Sequence, residues 1–113
     1  MLPKRAVAVG LNAPLSPAST ALLLGIMTRS PVLPGRLKGL LPSTVPVAHK
    51  PGTSATTNGV TAASNDAGVI TLADHSHLAI AVLIKDSSAP AAVRDSVIAR
   101  VAKAAYDCWS FRR

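Results

Sequence analysis

Lys50, Pro51, Gly52, Thr53 and Ser54 follow directly on the short apolar run Val47-Ala48 and His49. A cation, a residue without a side chain and two hydroxyl groups on one extended segment can act on a carbonyl compound. The lysine can attract a substrate carboxylate and bias nearby proton transfers. Gly52 lets a substrate ring or backbone lie flat against the chain. The N–H after it, that of Thr53, can point into a cleft as an oxyanion donor. Pro51 is the anomaly, because it brings neither a hydroxyl nor an N–H. A Lys-x-Gly-Thr string is a weak signal alone, so the elements around it decide its meaning.

A strand through Val45 and Val47 up to Thr53 is expected to carry this segment. The Thr/Ser/Asn-rich stretch 54–59 reads as a turn, and a second strand follows from about Val60 to Leu72. Ala73-Asp74-His75-Ser76 reads as a hairpin loop. Leu78 to Ile84 is a continuous apolar run, the pattern of a strand buried on both faces. Upstream, Ser16-Pro17 opens a helix as N-cap and first helical residue, with Leu22, Leu23, Ile26 and Met27 on its apolar face. Pro31 and Pro34 end that helix, and 35-GRLKG-39 reads as a basic loop. The last helix has Ser88 as expected cap and Pro90 in its first turn. Its apolar positions are Val93, Val97, Ile98, Val101, Ala105 and Cys108. Asp95 near its start and Arg100, Lys103, Arg112 and Arg113 toward its end suit the helix dipole. The expected fold is α/β (α+β): helix, three-stranded antiparallel sheet, C-terminal helix.

At 113 residues the chain fits one small domain, with 49% hydrophobic residues for its core. That core must be aliphatic, because the only aromatics are Tyr106, Trp109 and Phe111. The net charge is +7, from twelve Lys and Arg against five acids, all of them aspartate. The cations are scattered and no aromatic residues interleave with them, which argues against a nucleic-acid surface. Asn12, Pro14 and Pro17 interrupt the uncharged stretch 6–28, so no membrane span is expected. The apolar run after Lys4-Arg5 is too short for the core of a signal peptide. A lone Cys108 excludes an internal disulfide, and no base stands beside it in the sequence. His75 and His77 lack a third metal ligand, and no metal or other cofactor is expected. His49 reads as a strand-packing residue.

In order and spacing, LSPASTALLLGIM, RLKGLLP, VAHKPGTS, SNDAGVITL, AIAVLIKDS and VIARVAKAAYDCW resemble the C-terminal part of a class A serine β-lactamase. The resemblance covers roughly residues 15–109, with 1–14 left as an irregular arm and 110–113 as a basic tail. The turn after Thr53-Ser54, followed by Asn65-Asp66-Ala67-Gly68, is most similar to the extended-spectrum branch. The resemblance implies a C-terminal piece of the β-lactamase/transpeptidase-like fold and β-lactam hydrolysis by acyl transfer at a serine. It implies that Lys50 is the lysine of the family's third motif and the Thr53 N–H an oxyanion donor. It implies that Arg36 reaches under the strand toward the substrate carboxylate, and that Pro51, Gly52, Thr53 and Ser54 line the groove. The family is secreted or periplasmic.

The chain also departs from the family. Pro51 stands where the family has a threonine, which removes a hydroxyl that binds the substrate carboxylate. Leu72-Ala73-Asp74-His75 stands in place of a Leu-Pro-Asp-Gly type of turn, and Ala55 in place of a common glycine. No serine lies three residues before any lysine, Ser64-Asn65-Asp66 is not Ser-Asp-Asn, and the 113 residues contain no glutamate. The expectation is a truncated relative, inactive by itself, whose partners are a β-lactam and a missing N-terminal half. The rival readings are a non-catalytic protein that keeps the groove for binding and a small basic nucleic-acid binder.

Overall fold

A computed structural model describes residues 14–111, so the expected arm lies almost wholly outside the described residues, as do Arg112 and Arg113. The element order is α1 (Pro17–Arg29), β1 (Val47–Thr53), β2 (Thr56–Thr57), β3 (Val60–Thr71), β4 (His77–Ser87) and α2 (Ala91–Ser110). Ser16 caps α1 by accepting from the Ser19 N–H at 3.1 Å, with Pro17 as the first helical residue.

The sheet is antiparallel, with β3 at its centre. β4 runs along one side of β3 from Thr61 to Thr71. β1 and the two-residue β2 share the other side, pairing with residues 64–70 and 60–61 respectively. The layer is therefore three strands wide, and β2 arises inside the stretch read from sequence as a plain turn. Asn58 and Gly59, with φ of 53° and 77°, close the β2–β3 hairpin. Positive φ at both central positions is what a two-residue type I′ turn demands, and Asn-Gly supplies it cheaply.

One face of the sheet meets α2. Val47, Ile70, Leu72 and Leu78 join Ile98 and Ala102 of α2 and Leu37 of the loop between α1 and β1 in a single buried cluster. Small residues let the layers close up. A Cβ at Gly39 would run into the Gly35 carbonyl and the Ala99 side chain, and one at Gly68 into the Ala48 carbonyl. Gly68 therefore lets β1 approach β3 at the rung it shares with His49.

Three sequence expectations are corrected here. β4 is not buried on both faces: Leu78, Ile80, Val82 and Ile84 turn inward, while Ala79, Ala81 and Leu83 are exposed, Leu83 by 74%. The reason is that among the described residues only one side of this strand is covered. Ser88 does not cap α2; Pro90 holds the N-cap position without a side-chain bond, and the Ser87 hydroxyl accepts from the Ala89 N–H. The buried face of α2 is Arg94, Ile98, Ala99 and Ala102, whereas Val93, Val97, Val101 and Cys108 are exposed. Alanines win the packed face because they allow close approach to the sheet, and the valines fall on the adjoining stripe.

The β3–β4 loop holds His75 at φ 68°, where the Leu72 carbonyl accepts from its N–H at 2.9 Å. A side chain in the left-handed region carries a steric penalty that glycine lacks. We expect His75→Gly to stabilise the chain by about 1 kcal/mol in urea denaturation at fixed protein concentration. The outer edge of β4 pairs with no other described strand, and α1 exposes Leu22, Leu23 and Ile26. Open edges invite pairing with other chains. Sedimentation should therefore show oligomers, and Leu83→Lys should shift the distribution toward monomer.

Candidate functional site

The phase of the β1 ladder decides what the motif presents. The Ser54 N–H donates to the Ala63 carbonyl at 2.9 Å, and the Thr71 N–H to the Pro46 carbonyl at 3.0 Å. With the register Gly52↔Asn65, the even-numbered residues of β1 form the hydrogen-bonded pairs with β3. Pro51 and Thr53 therefore aim their backbone groups at the outer edge. Pro51 removes no rung of the ladder, which is how an edge strand accommodates proline. The Pro51 carbonyl on that edge accepts from Lys50 Nζ at 2.7 Å. Lys50, Gly52 and Thr53 are exposed and Pro51 is buried. A Cβ at Gly52 would meet nothing within 4 Å, so the space beside the strand is open.

Arg36 lies beneath this edge, only 2% exposed. Its Nε donates to Asp95 Oδ1 at 2.8 Å. Nη1 donates to the carbonyls of Gly52 at 3.0 Å and Asn65 at 2.9 Å, the two residues of one rung. Nη2 donates to Thr53 Oγ1 at 2.6 Å. The segment read from sequence as a basic loop thus contributes a buried cation instead of a surface one. Because Thr53 Oγ1 accepts from a guanidinium, its own proton is available to be donated elsewhere. Ser54 differs: its hydroxyl donates to the Ala55 carbonyl at 3.1 Å and accepts from the Ala63 N–H at 2.9 Å. It is occupied in holding the turn.

The structure brings Arg36, Gly52 and Thr53 into contact and sets Lys50 beside Pro51 on the same strand edge. Sequence reasoning placed Asp95 only in the helix dipole and missed that it is the counter-ion of Arg36. It also left out Asp66, which faces Pro51 across the β1–β3 pair and is fully buried. Fixing the strand register from the turn residues was the signal that could have found Asp66. No signal in the sequence links Asp95 to Arg36. Among the described residues no group of three or more His, Cys, Asp or Glu could hold a metal ion.

Comparison with known proteins bears on this arrangement. Residues 8–109 match the profile of the "Beta-lactamase enzyme family". The extended-spectrum beta-lactamase PER-1 of Pseudomonas aeruginosa is 48% identical over 92 residues, covering 81% of this chain and 30% of that protein. A beta-lactamase from Chitinophaga pinensis superposes with a TM-score of 0.81 at 48% identity, over 84% of this chain and 35% of the other. The extended-spectrum beta-lactamase TLA-3 gives 0.84 at 46% identity, over 88% and 36%. The chain thus spans about a third of the length of these relatives.

Arg36 is the buried member of the network, while the Asp95 side chain is 24% exposed. Removing a buried partner leaves three oxygens and a carboxylate without their donor. Arg36→Met should therefore lower stability by about 3 kcal/mol in chemical denaturation. Asp95→Asn keeps an acceptor on a partly solvated site and should lower it by about 1 kcal/mol. Equal losses for the two variants would contradict this ranking.

Proposed function

The chain belongs to the beta-lactamase enzyme family, and from this membership we propose that it forms the β1 wall of a class A β-lactam site. In this reading residues 15–109 are the C-terminal part of the catalytic domain, 1–14 an arm and 110–113 a basic tail. The observation that carries the reading is the outer edge of β1. Lys50 Nζ, the outward Thr53 N–H and a Thr53 hydroxyl gripped by Arg36 all lie along one short length of strand.

Each group then has a role. Lys50 attracts the anionic end of the substrate and favours proton transfer beside it. The Thr53 N–H donates to the oxyanion that develops on the β-lactam carbonyl. The Thr53 hydroxyl, its oxygen taken by Arg36, turns its proton to the substrate carboxylate. Gly52 leaves the strand flat for the ring. Pro51 withholds the hydroxyl that the family's threonine gives to the carboxylate, and it does so without disturbing the sheet. The acyl-forming serine and the water-activating carboxylate are not supplied by these 113 residues, which hold neither Ser-x-x-Lys nor a glutamate. The chain by itself therefore binds and polarises without turning substrate over.

A second reading is a non-catalytic binder of β-lactams, favoured by the intact cationic edge beside a missing nucleophile. A nucleic-acid surface is disfavoured, because two of its cations, Arg36 and Arg94, are buried. No helix among the described residues is long and apolar enough to cross a membrane.

The test is complementation. The chain alone should not hydrolyse nitrocefin above background. Co-expression with the N-terminal portion of a class A relative, carrying the serine and the glutamate, should restore hydrolysis. A hydrogen bond to a charged group is worth about 1.5–3 kcal/mol, so Pro51→Thr should raise kcat/KM of the assembled pair roughly ten- to hundredfold. Lys50→Ala should abolish activity in either background. A stable assembled pair indifferent to Pro51→Thr would remove Pro51 from the groove. Binding of a β-lactam without any turnover in the pair would favour the second reading.

A further inference from the structure

Arg36 is anchored a second time, from a direction that the groove does not touch. Asp66 is 0% exposed and its carboxylate takes two donors. Asp66 Oδ2 accepts from the Leu37 N–H at 3.1 Å, one residue beyond Arg36. His49 Nδ1 lies 2.8 Å from Oδ2 and 3.0 Å from Oδ1. Consecutive residues of β3 thus hold consecutive residues of the loop: the Asn65 carbonyl takes the Arg36 guanidinium, and the Asp66 carboxylate takes the Leu37 backbone.

His49 is also 0% exposed, and its Nε2 has no partner among the described residues. A buried polar atom left unbonded carries its desolvation penalty uncompensated. An aliphatic residue in register with Val47 would fill the same sheet face without that penalty. The ring is explained by what its other nitrogen does. An ionised carboxylate can only accept, so the contact calls for a proton on Nδ1, while Nε2 finds no partner among the described residues. His49 therefore holds the Asp66 carboxylate in the orientation that receives the Leu37 N–H.

We propose that Asp66, oriented by His49, is the positioning residue for Arg36, setting the guanidinium against Thr53 and thereby the grip of the site on a substrate carboxylate. The proposal rests on the reading of the Arg36–Thr53 pair as the carboxylate-facing part of a β-lactam site. The lever is short. The Leu37 N–H is the backbone donor next to Arg36, and in this proposal its bond to Asp66 sets the backbone that aims the guanidinium. A contact of 2.6 Å to Thr53 Oγ1 does not survive a shift of that backbone by about 1 Å.

Two measurements test this. In the 113-residue chain, trypsin reports the loop directly, because cleavage after the buried Arg36 requires the loop to open. Asp66→Val and His49→Leu should speed cleavage at Arg36 roughly tenfold or more, with cleavage at the exposed Arg100 of α2 unchanged. His49→Asn, whose amide N–H can take the place of the ring Nδ1–H, should stay close to the unsubstituted chain. In the complemented pair, His49→Leu should raise KM for nitrocefin about tenfold with kcat within about twofold. KM for nitrocefin esterified at its ring carboxylate should not change, and His49→Asn should rescue the acid substrate. Unchanged cleavage at Arg36, equal acceleration at Arg36 and Arg100, or an equal rise in KM for acid and ester would overturn the proposal. If the unsubstituted pair hydrolyses neither substrate, the β-lactam reading fails, and the proteolysis arm alone decides whether Asp66 and His49 position Arg36.

Discussion

A guanidinium taken out of water needs an acceptor for nearly every N–H it carries, and Arg36 meets that demand by drawing separate segments to one point. Its own loop, the end of β1, the middle of β3 and the first turns of α2 converge on it through Thr53, Gly52, Asn65 and Asp95. Neither carbonyl is lost from the sheet by this, since each has a second lone pair beyond the one used in the ladder. The loop that carries Arg36 is irregular, yet Leu37 beside it is fully buried in the main cluster. Charge satisfaction and apolar packing thus fix the same few residues. The position of the β1 edge depends on both.

The edge itself explains how a proline can sit in the middle of β1. In an antiparallel ladder alternate residues turn their backbone groups away from the partner strand, and position 51 is one of these. A proline there gives up an outward N–H and leaves the pairing of β1 with β3 intact. Thr53, the next outward-facing residue, keeps both its N–H and a polarised hydroxyl on that edge. The motif is altered chemically but not geometrically.

Buried polar groups are concentrated around this strand. Arg36, His49, Ser64, Asp66 and Arg94 are all buried, and Arg94 donates to Ser64 Oγ at 2.8 Å and to the Ala89 carbonyl at 2.7 Å. An apolar filling would be simpler for stability alone, because each such group is expensive to desolvate. What the polar filling adds is direction, since hydrogen bonds fix orientation where aliphatic contacts leave it loose. By contrast, Leu83 and the valine stripe of α2 face outward among the described residues. The order of the chain is concentrated on the β1 side.

Local signals in the sequence determined much of the fold. Ser16-Pro17 fixed the start of α1, the alternating and apolar runs placed three strand positions, and the motif strings pointed to the family. Those features act within a few residues, so the sequence states them directly. Asn58-Gly59 was equally legible as a two-residue turn, and overlooking it hid β2. Tertiary structure alone decided which stripe of α2 is buried, because Ala99 and Ala102 carry little hydropathy and win by allowing close approach. It alone decided that one face of β4 stays exposed, since that depends on what lies opposite the strand. The pairing of Arg36 with Asp95 and of Asp66 with the Leu37 N–H joins residues far apart in the chain. Such bonds have no local signature; they exist only where the sheet register and the packing of α2 bring the partners together.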